Sequence, residues 1–223
     1  MRKLFGIVIV LLLANASMHA QQIDTSYRST YYGQKVSLFR LLPDTKGEII
    51  FLGNSITDIG EWAEIWQNPK VKNRGISGDN TFGVLARLDE VVSSKPEKVF
   101  LMIGINDIAR STPDSLIVGN IIKIVETIKA ASPKTKLIMQ SILPTNDAFT
   151  EFKRHQNKDG HIRTVNSALR DYCQQRQLVF VDLYPLFLNG SGKLDERYTN
   201  DGLHINGAGY MLWRDALRKL KLL

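Results

Sequence analysis

Ser55 stands three residues beyond a short apolar run, Ile49-Ile50-Phe51-Leu52, which Gly53 stops. The run is too short for a typical helix and has no polar alternation, so it reads as a strand buried on both faces. A serine just past the carboxyl end of such a strand holds its hydroxyl in the crevice where parallel α/β sheets take ligands. Serine is also an ordinary helix cap, so this stretch alone leaves nucleophile and cap open. A nucleophilic serine needs a base within hydrogen-bond reach, and the base needs an orienting acceptor. Beyond the N-terminal segment the histidines are His155, His161 and His204. His204 closes the run Asp201-Gly202-Leu203-His204. In a tight turn, a carboxylate three positions back faces the imidazole Nδ1 and leaves Nε2 free for the serine proton. No acidic residue frames His155 or His161 in that way. Acyl transfer further requires donors for the oxyanion of the tetrahedral intermediate. Gly78 offers a backbone N–H that no side chain obstructs, Asn106 a side-chain amide, and Ser55 its own backbone N–H. Singly, each reads as a turn or capping residue. Turns and caps do not explain why all three follow strands of one sheet.

The elements that must position these residues alternate regularly. A helix is expected from Tyr27 to Leu42, packed on the sheet, followed by a loop at residues 43–47 and the first strand. Glu61 to Trp66 forms a helical turn, with Trp62 and Trp66 as core or as a pocket wall. A second strand spans Val71–Ile76. One amphipathic helix from Phe82 to Ser94 carries Val84, Leu85, Leu88, Val91 and Val92 on one face, capped by Asn80 or Thr81. Lys98 to Gly104 is the clearest central strand. Thr112-Pro113-Asp114 opens a long helix with a cap, a proline at the first helical position and an acid in the first turn. A fourth strand (136–143), a polar loop (144–159), a helix (161–177), a fifth strand (178–183), a second polar loop (189–200) and a closing helix (208–220) complete the chain. Alternation of this kind predicts an α/β fold with a mainly five-stranded parallel sheet, right-handed crossovers and helices on both faces. No linker divides it, so residues 21–223 are expected to form one domain.

Arg2 and Lys3 before an apolar run from Leu4 to Ala14, then small residues up to Ala20, mark residues 1–20 as a cleavable export signal. The expected location is therefore secreted or periplasmic, without a lipid-bearing cysteine and without stable membrane insertion. Cys173 is the one cysteine, so no intrachain disulfide forms, and its helical setting makes it a packing residue. Of 29 Lys and Arg, removal of Arg2 and Lys3 leaves 27 against 22 Asp and Glu, an excess of +5. Much of it falls in Arg214, Arg218, Lys219 and Lys221, with no interleaved aromatics to stack bases, so a solvated helix face explains it and a nucleic-acid partner is not expected. No His-Glu-x-x-His run, paired cysteines or glycine-rich phosphate loop is present, so no metal or cofactor is expected. Thr57 stands where the Gly-x-Ser-x-Gly elbow requires glycine, which sets the chain apart from the α/β-hydrolases.

The runs Gly53-Asn54-Ser55-Ile56-Thr57, Asn73-Arg74-Gly75-Ile76-Ser77-Gly78-Asp79, Gly104-Ile105-Asn106-Asp107 and Asp201-Gly202-Leu203-His204 together resemble the sequence blocks of the SGNH (GDSL-type) hydrolases, in the family's order. The resemblance implies a flavodoxin-like three-layer α/β/α sandwich and a metal-free ester hydrolase. In that pattern Ser55 is nucleophile and oxyanion donor, Gly78 and Asn106 complete the oxyanion hole, His204 is the base and Asp201 its partner. Asn54 replaces the family's usual aspartate. Since that side chain is not the triad acid, catalysis is expected to survive the change. Asn54, Trp62, Asp79 and Asp107, in or beside the blocks, are expected to contact the substrate. The Trp62 region and the Gly-Asp-Asn-Thr run most resemble platelet-activating-factor acetylhydrolase-like proteins and carbohydrate O-acetylesterases. A short acyl ester on a carbohydrate or other small molecule is thus the expected substrate. The alternatives are a lysophospholipase or thioesterase, and a carbohydrate-binding protein without turnover.

Overall fold

The computed structural model describes residues 23–223. The export signal expected over residues 1–20 lies outside them. Five strands, β1 (Ile49–Gly53), β2 (Val71–Gly75), β3 (Lys98–Met102), β4 (Lys136–Gln140) and β5 (Val179–Val181), form one all-parallel sheet in the order β2-β1-β3-β4-β5. The chain steps from β1 outward to β2, then returns across β1 to β3. The order is that of the flavodoxin-like folds, and β1/β3 is its switch point, where a crevice opens beyond the strand ends. Every residue of β1 is buried, as its unbroken apolar run requires.

The helices are α1 (Thr30–Leu41), α2 (Ser55–Asp58), α3 (Trp62–Ile65), α4 (Thr81–Leu85), α5 (Leu88–Val92), α6 (Ile105–Ala109), α7 (Asp114–Ala131), α8 (Asp159–Gln175) and α9 (Gly207–Lys219). Helix α7 packs against α4, α5 and α8, and α3 meets α9. Buried Ile117, Ile121, Ile124, Val125 and Ile128 of α7 recur at three- and four-residue spacing, the stripe that fixes this helix on the sheet.

Three expectations require correction. Helix α1 starts at Thr30, where the Ser29 hydroxyl accepts from the Tyr32 N–H at 3.0 Å, and its buried face (Tyr32, Val36, Phe39) forms a separate cluster with Ile76 rather than lying on the main sheet core. The helix expected over 82–94 is two helices. It breaks at Arg87, whose backbone leaves helical geometry while its side chain turns fully inside. Pro113 precedes α7 in extended backbone instead of occupying the first helical position. Cys173 is buried in α8, and burial pushes its thiol up to about 11, as befits a packing residue.

Candidate active site

Register brings the first three site residues together. Gly53, Gly75 and Met102 lie level across β2, β1 and β3. Ser55, Gly78 and Asn106 follow those level points in short loops and helical turns, so all three collect at the rim of the switch point. Helix α2, which begins with Ser55, is four residues long, too short to persist by itself. Its ends are held by other side chains. The Asn54 Oδ1 accepts from the Ile56 N–H at 3.0 Å and caps it. Its orphan carbonyls are taken in turn by Tyr210 Oη to Ile56 (2.8 Å), Trp62 Nε1 to Thr57 (2.7 Å) and Asn73 Nδ2 to Asp58 (2.9 Å).

The Asp58 carboxylate extends this brace. It accepts from Lys35 Nζ (2.7 Å) and Tyr31 Oη (2.7 Å) of α1, and from the Ser77 N–H (3.0 Å) and hydroxyl (2.8 Å). Ser77 precedes Gly78, whose φ of 80° lies in the left-handed region and whose missing Cβ would stand in open space. Among the described residues no acceptor takes the backbone N–H of Ser55 or of Gly78. Both donors are free for a ligand oxygen.

His204 arrives from the loop before α9. Its Nε2 lies 2.8 Å from the Ser55 Oγ and its Nδ1 2.8 Å from Asp201 Oδ2. Asp201 Oδ1 accepts the backbone N–H groups of Leu203 (2.9 Å) and His204 (2.8 Å), so one carboxylate folds the turn and orients the ring. Burial works to raise the Asp201 carboxyl. The hydrogen bonds from the His204 ring and from these backbone donors outweigh burial and hold it below the usual carboxylate range. The turn depends on Gly202, at φ 81°, where a Cβ would meet the Asn146 carbonyl oxygen at 2.6 Å and Phe149 at 2.8 Å. Thr199 Oγ1 donates to the His204 carbonyl at 2.7 Å.

The two polar loops, whose shapes the sequence does not reveal, lock together beside this turn. Lys193 bridges Asp147 and Asp159, and Asn146 Nδ2 donates to the Leu194 carbonyl (2.8 Å) and to Glu196 (2.9 Å). The Asn146 N–H in turn donates to the Gly202 carbonyl at 2.8 Å. From the first loop, the Phe152 ring stands edge-on to His204 at 4.8 Å.

Asn106 is half-buried, and its Nδ2 donates to the Asp79 carbonyl at 2.8 Å. Its Oδ1 lies 3.0 Å from His155 Nε2. His155 and Phe152 are thus part of the site although no sequence pattern singled them out. The partner of each is dozens of residues away, and no spacing signals it. His161 has no local carboxylate of the Asp201 kind, but an acid from the start of α7 stands beside it. Its Nδ1 sits 3.0 Å from Asp114 Oδ1, on the exposed start of α8.

The four residues expected to touch substrate serve the scaffold instead. Asn54 is 1% exposed and spends its side chain on the α2 cap. Trp62 is 1% exposed, stacked on Phe51 at 3.9 Å beneath α2. Asp79, fully buried, is paired with Arg87 at 2.9 Å. Asp107, also fully buried, accepts from the Thr81 hydroxyl at 2.6 Å and from its N–H. Burial raises both carboxyls to about 6, against the Arg87 charge in one case and the Thr81 bonds in the other. Asn54, Asp79 and Asp107 satisfy donors of the loops around them and Trp62 donates to the Thr57 carbonyl, which leaves none of the four for a ligand.

An oriented imidazole against a serine hydroxyl, at the mouth of a crevice with free N–H donors, is the geometry of acyl transfer. Comparison with known proteins agrees. Residues 51–212 match the GDSL-like Lipase/Acylhydrolase family. The platelet-activating factor acetylhydrolase IB subunit alpha1 of Rattus norvegicus is 26% identical over 185 residues, spanning 80% of this chain and 77% of the relative. The solved structure of a GDSL-like lipase from Bacteroides thetaiotaomicron superposes with a TM-score of 0.73 at 27% identity, covering 86% of this chain and 98% of its own. A likeness of fold alone extends to an acetylxylan esterase from Geobacillus stearothermophilus (TM-score 0.62, 21% identity, 80% and 96% covered). With most of its described length matched and the switch-point site in place, the chain belongs to the GDSL-like lipase/acylhydrolase family of hydrolases.

Proposed function

We propose that this chain is an exported serine esterase that removes a short acyl group, acetate first, from a carbohydrate or other small-molecule ester. The observation that carries the reading is the unbroken hydrogen-bonded line from Ser55 Oγ through His204 to Asp201. In this scheme Ser55 Oγ attacks the ester carbonyl carbon while His204 Nε2 takes its proton. Asp201, ionised across the neutral range, holds the ring and stabilises the imidazolium. The carbonyl oxygen, now an anion, is met by the N–H groups of Ser55 and Gly78 and by the second Nδ2 proton of Asn106. Collapse returns the proton from His204 to the departing alcohol, leaving an acyl-serine. Water then attacks with the roles of His204 repeated. Each oxyanion donor contributes about 2.7–4 kcal/mol of barrier lowering. The acetyl preference is supported by the platelet-activating factor acetylhydrolase relative, whose name specifies acetyl release, and by the Phe152 ring beside His204.

The test compares wild type, Ser55→Ala and His204→Ala on p-nitrophenyl acetate, butyrate and octanoate, and on acetylated xylo-oligosaccharides. The expected result is loss of about a thousandfold or more in kcat for both variants, with acetate the best of the chain-length series. Equal rates for all three proteins remove the serine mechanism. A preference for octanoate removes the short-acyl assignment in favour of a lipid-directed acylhydrolase.

A further inference from the structure

We infer that His155 is a positioning residue for the oxyanion hole, holding the Asn106 side-chain amide in the one orientation that leaves an N–H free for the substrate oxygen. The inference rests on the esterase reading above and deepens it. The bonding around Asn106 allows one assignment. The Asp79 carbonyl oxygen only accepts, so the Asn106 atom 2.8 Å from it is the nitrogen. The amide oxygen therefore faces His155, and the His155 atom 3.0 Å away must be the donor, Nε2–H. Two bonds, one at each end of the planar amide, fix it against rotation. One Nδ2–H goes to Asp79 and the other is left over.

The ring itself is placed with care. The turn Lys153–His155 packs against α6, the helix that carries Asn106. The His155 backbone N–H donates to the Phe152 carbonyl at 2.9 Å, and its carbonyl accepts from Thr145 Oγ1 at 3.2 Å. Phe152 sits edge-on to both imidazoles, His155 at 5.9 Å and His204 at 4.8 Å. One aromatic residue therefore spaces the base from the residue that steers the oxyanion donor. The remaining ring nitrogen, Nδ1, is buried with no hydrogen-bond partner among the described residues. An orphaned buried polar atom is an expense to stability that packing does not explain. A phenylalanine would fill the same space without it, but would leave the Asn106 oxygen unheld. Burial, followed by the charges of His204, Arg110, Lys158 and Arg154 around the ring, lowers its pKa to about 4. His155 thus donates without adding a charge beside the base.

The experiment uses four variants on the full chain with p-nitrophenyl acetate. His155→Phe keeps a ring and removes the donor. His155→Asn keeps polarity but is too short to reach. His155→Gln replaces Nε2–H with an amide donor of similar reach. Asn106→Ala removes the group that His155 steers. Losing one oxyanion donor outright costs about 10²–10³ in kcat, so loosening one should cost about 10–100-fold, with KM within about twofold. That loss is expected in both His155→Phe and His155→Asn, so a folding failure of either leaves the other to read. His155→Gln should recover to within about fivefold of wild type. In the Asn106→Ala background His155→Phe should change kcat by less than about twofold, because the group it acts through is gone. An unchanged kcat in the donor-less variants, a KM effect alone, or an undiminished loss in the Asn106→Ala background overturns the inference. Should Ser55→Ala match wild type, the esterase reading itself falls, and this one with it. A Ser55-dependent wild type with indifferent His155 variants sinks only the positioning role.

Discussion

Replacing Arg87 by methionine should destabilise the protein more than almost any other single change to a charged residue. Arg87 is fully buried. Its Nε donates to Asp79 Oδ2 (2.9 Å), its Nη1 to Glu90 Oε1 (2.9 Å), and its Nη2 to the carbonyls of Arg74 (2.9 Å) and Gly53 (3.3 Å). Methionine keeps a similar length but abandons all four acceptors. Glu90 retains Arg74 at 3.1 Å, whereas Asp79 retains the Asn80 N–H at 2.9 Å. Orphaning one buried carboxylate costs about 3–5 kcal/mol, a large share of the roughly 5–15 kcal/mol a domain has. Urea unfolding at pH 8 should show that loss as a lower midpoint at unchanged slope. The loss should also depend on pH. The Asp79 carboxyl is raised to about 6 by burial, with Arg87 the first group opposing it, so removing Arg87 raises it further. A folded-state pKa above the unfolded one means the native state holds a proton the unfolded chain releases, so stability falls as pH rises between the two. The penalty should therefore be larger at pH 8 than at pH 5, and Asp79→Asn in the same background should recover part of it. A loss below about 1 kcal/mol at pH 8, or one independent of pH, would refute the claim that Arg87 is what makes these carboxylates tolerable inside.

Three further outcomes follow from single contacts. Gly202→Ala forces a Cβ at φ 81° into the Asn146 carbonyl oxygen and Phe149, so kcat should fall at least tenfold (an order-of-magnitude expectation for displaced catalytic groups) while the circular dichroism of the sheet stays unchanged, measured by kinetics beside spectra. Trp62→Phe leaves the Thr57 carbonyl without its 2.7 Å donor beneath α2, and should cost about 2–3 kcal/mol by urea unfolding with KM unmoved; a raised KM would restore Trp62 to the substrate wall. For Asp107→Asn, the stability difference from wild type should shift toward the variant as pH rises from 4.5 to 7, by about 2 kcal/mol. The cause is the proton that the native Asp107, raised to about 6, holds and the asparagine does not; pH-resolved denaturation showing the opposite slope would contradict it.

Much of the site was legible because it is built from the ends of strands. The apolar runs at Ile49–Leu52 and Val99–Ile103 fix where the chain emerges from the sheet, and parallel register then sets Ser55, Gly78 and Asn106 side by side without any long-range information. The Asp201–His204 turn is equally local, since one carboxylate satisfies two backbone donors and the ring within four residues. Periodicity failed where a side chain reverses its expected direction. Arg87 sits among the apolar residues of what reads as one amphipathic helix, and on that pattern it belongs to solvent. It turns inward because Asp79, on a different loop, needs a cation there, and the helix breaks to let it.

The same cause explains why the expected substrate contacts became scaffold. A polar residue a few places past a buried strand has two claimants, the ligand and the unsatisfied donors of its own or a neighbouring loop. At Asn54, Asp79 and Asp107 the backbone or hydroxyl donors of Ile56, Asn80 and Thr81 lie within hydrogen-bond distance and claim the side chain. The residues left free for chemistry are those whose local needs are met by others. Ser55 is free because Asn54 caps its helix, and the N–H of Gly78 because Asp58 holds the loop before it. Asn106 keeps one proton in hand because Asp79 and His155 occupy the rest of its amide. Availability of a donor at this rim is thus decided by the neighbours that saturate everything else, and apart from Asn54, which adjoins Ser55, those neighbours come from segments that no spacing rule connects to it.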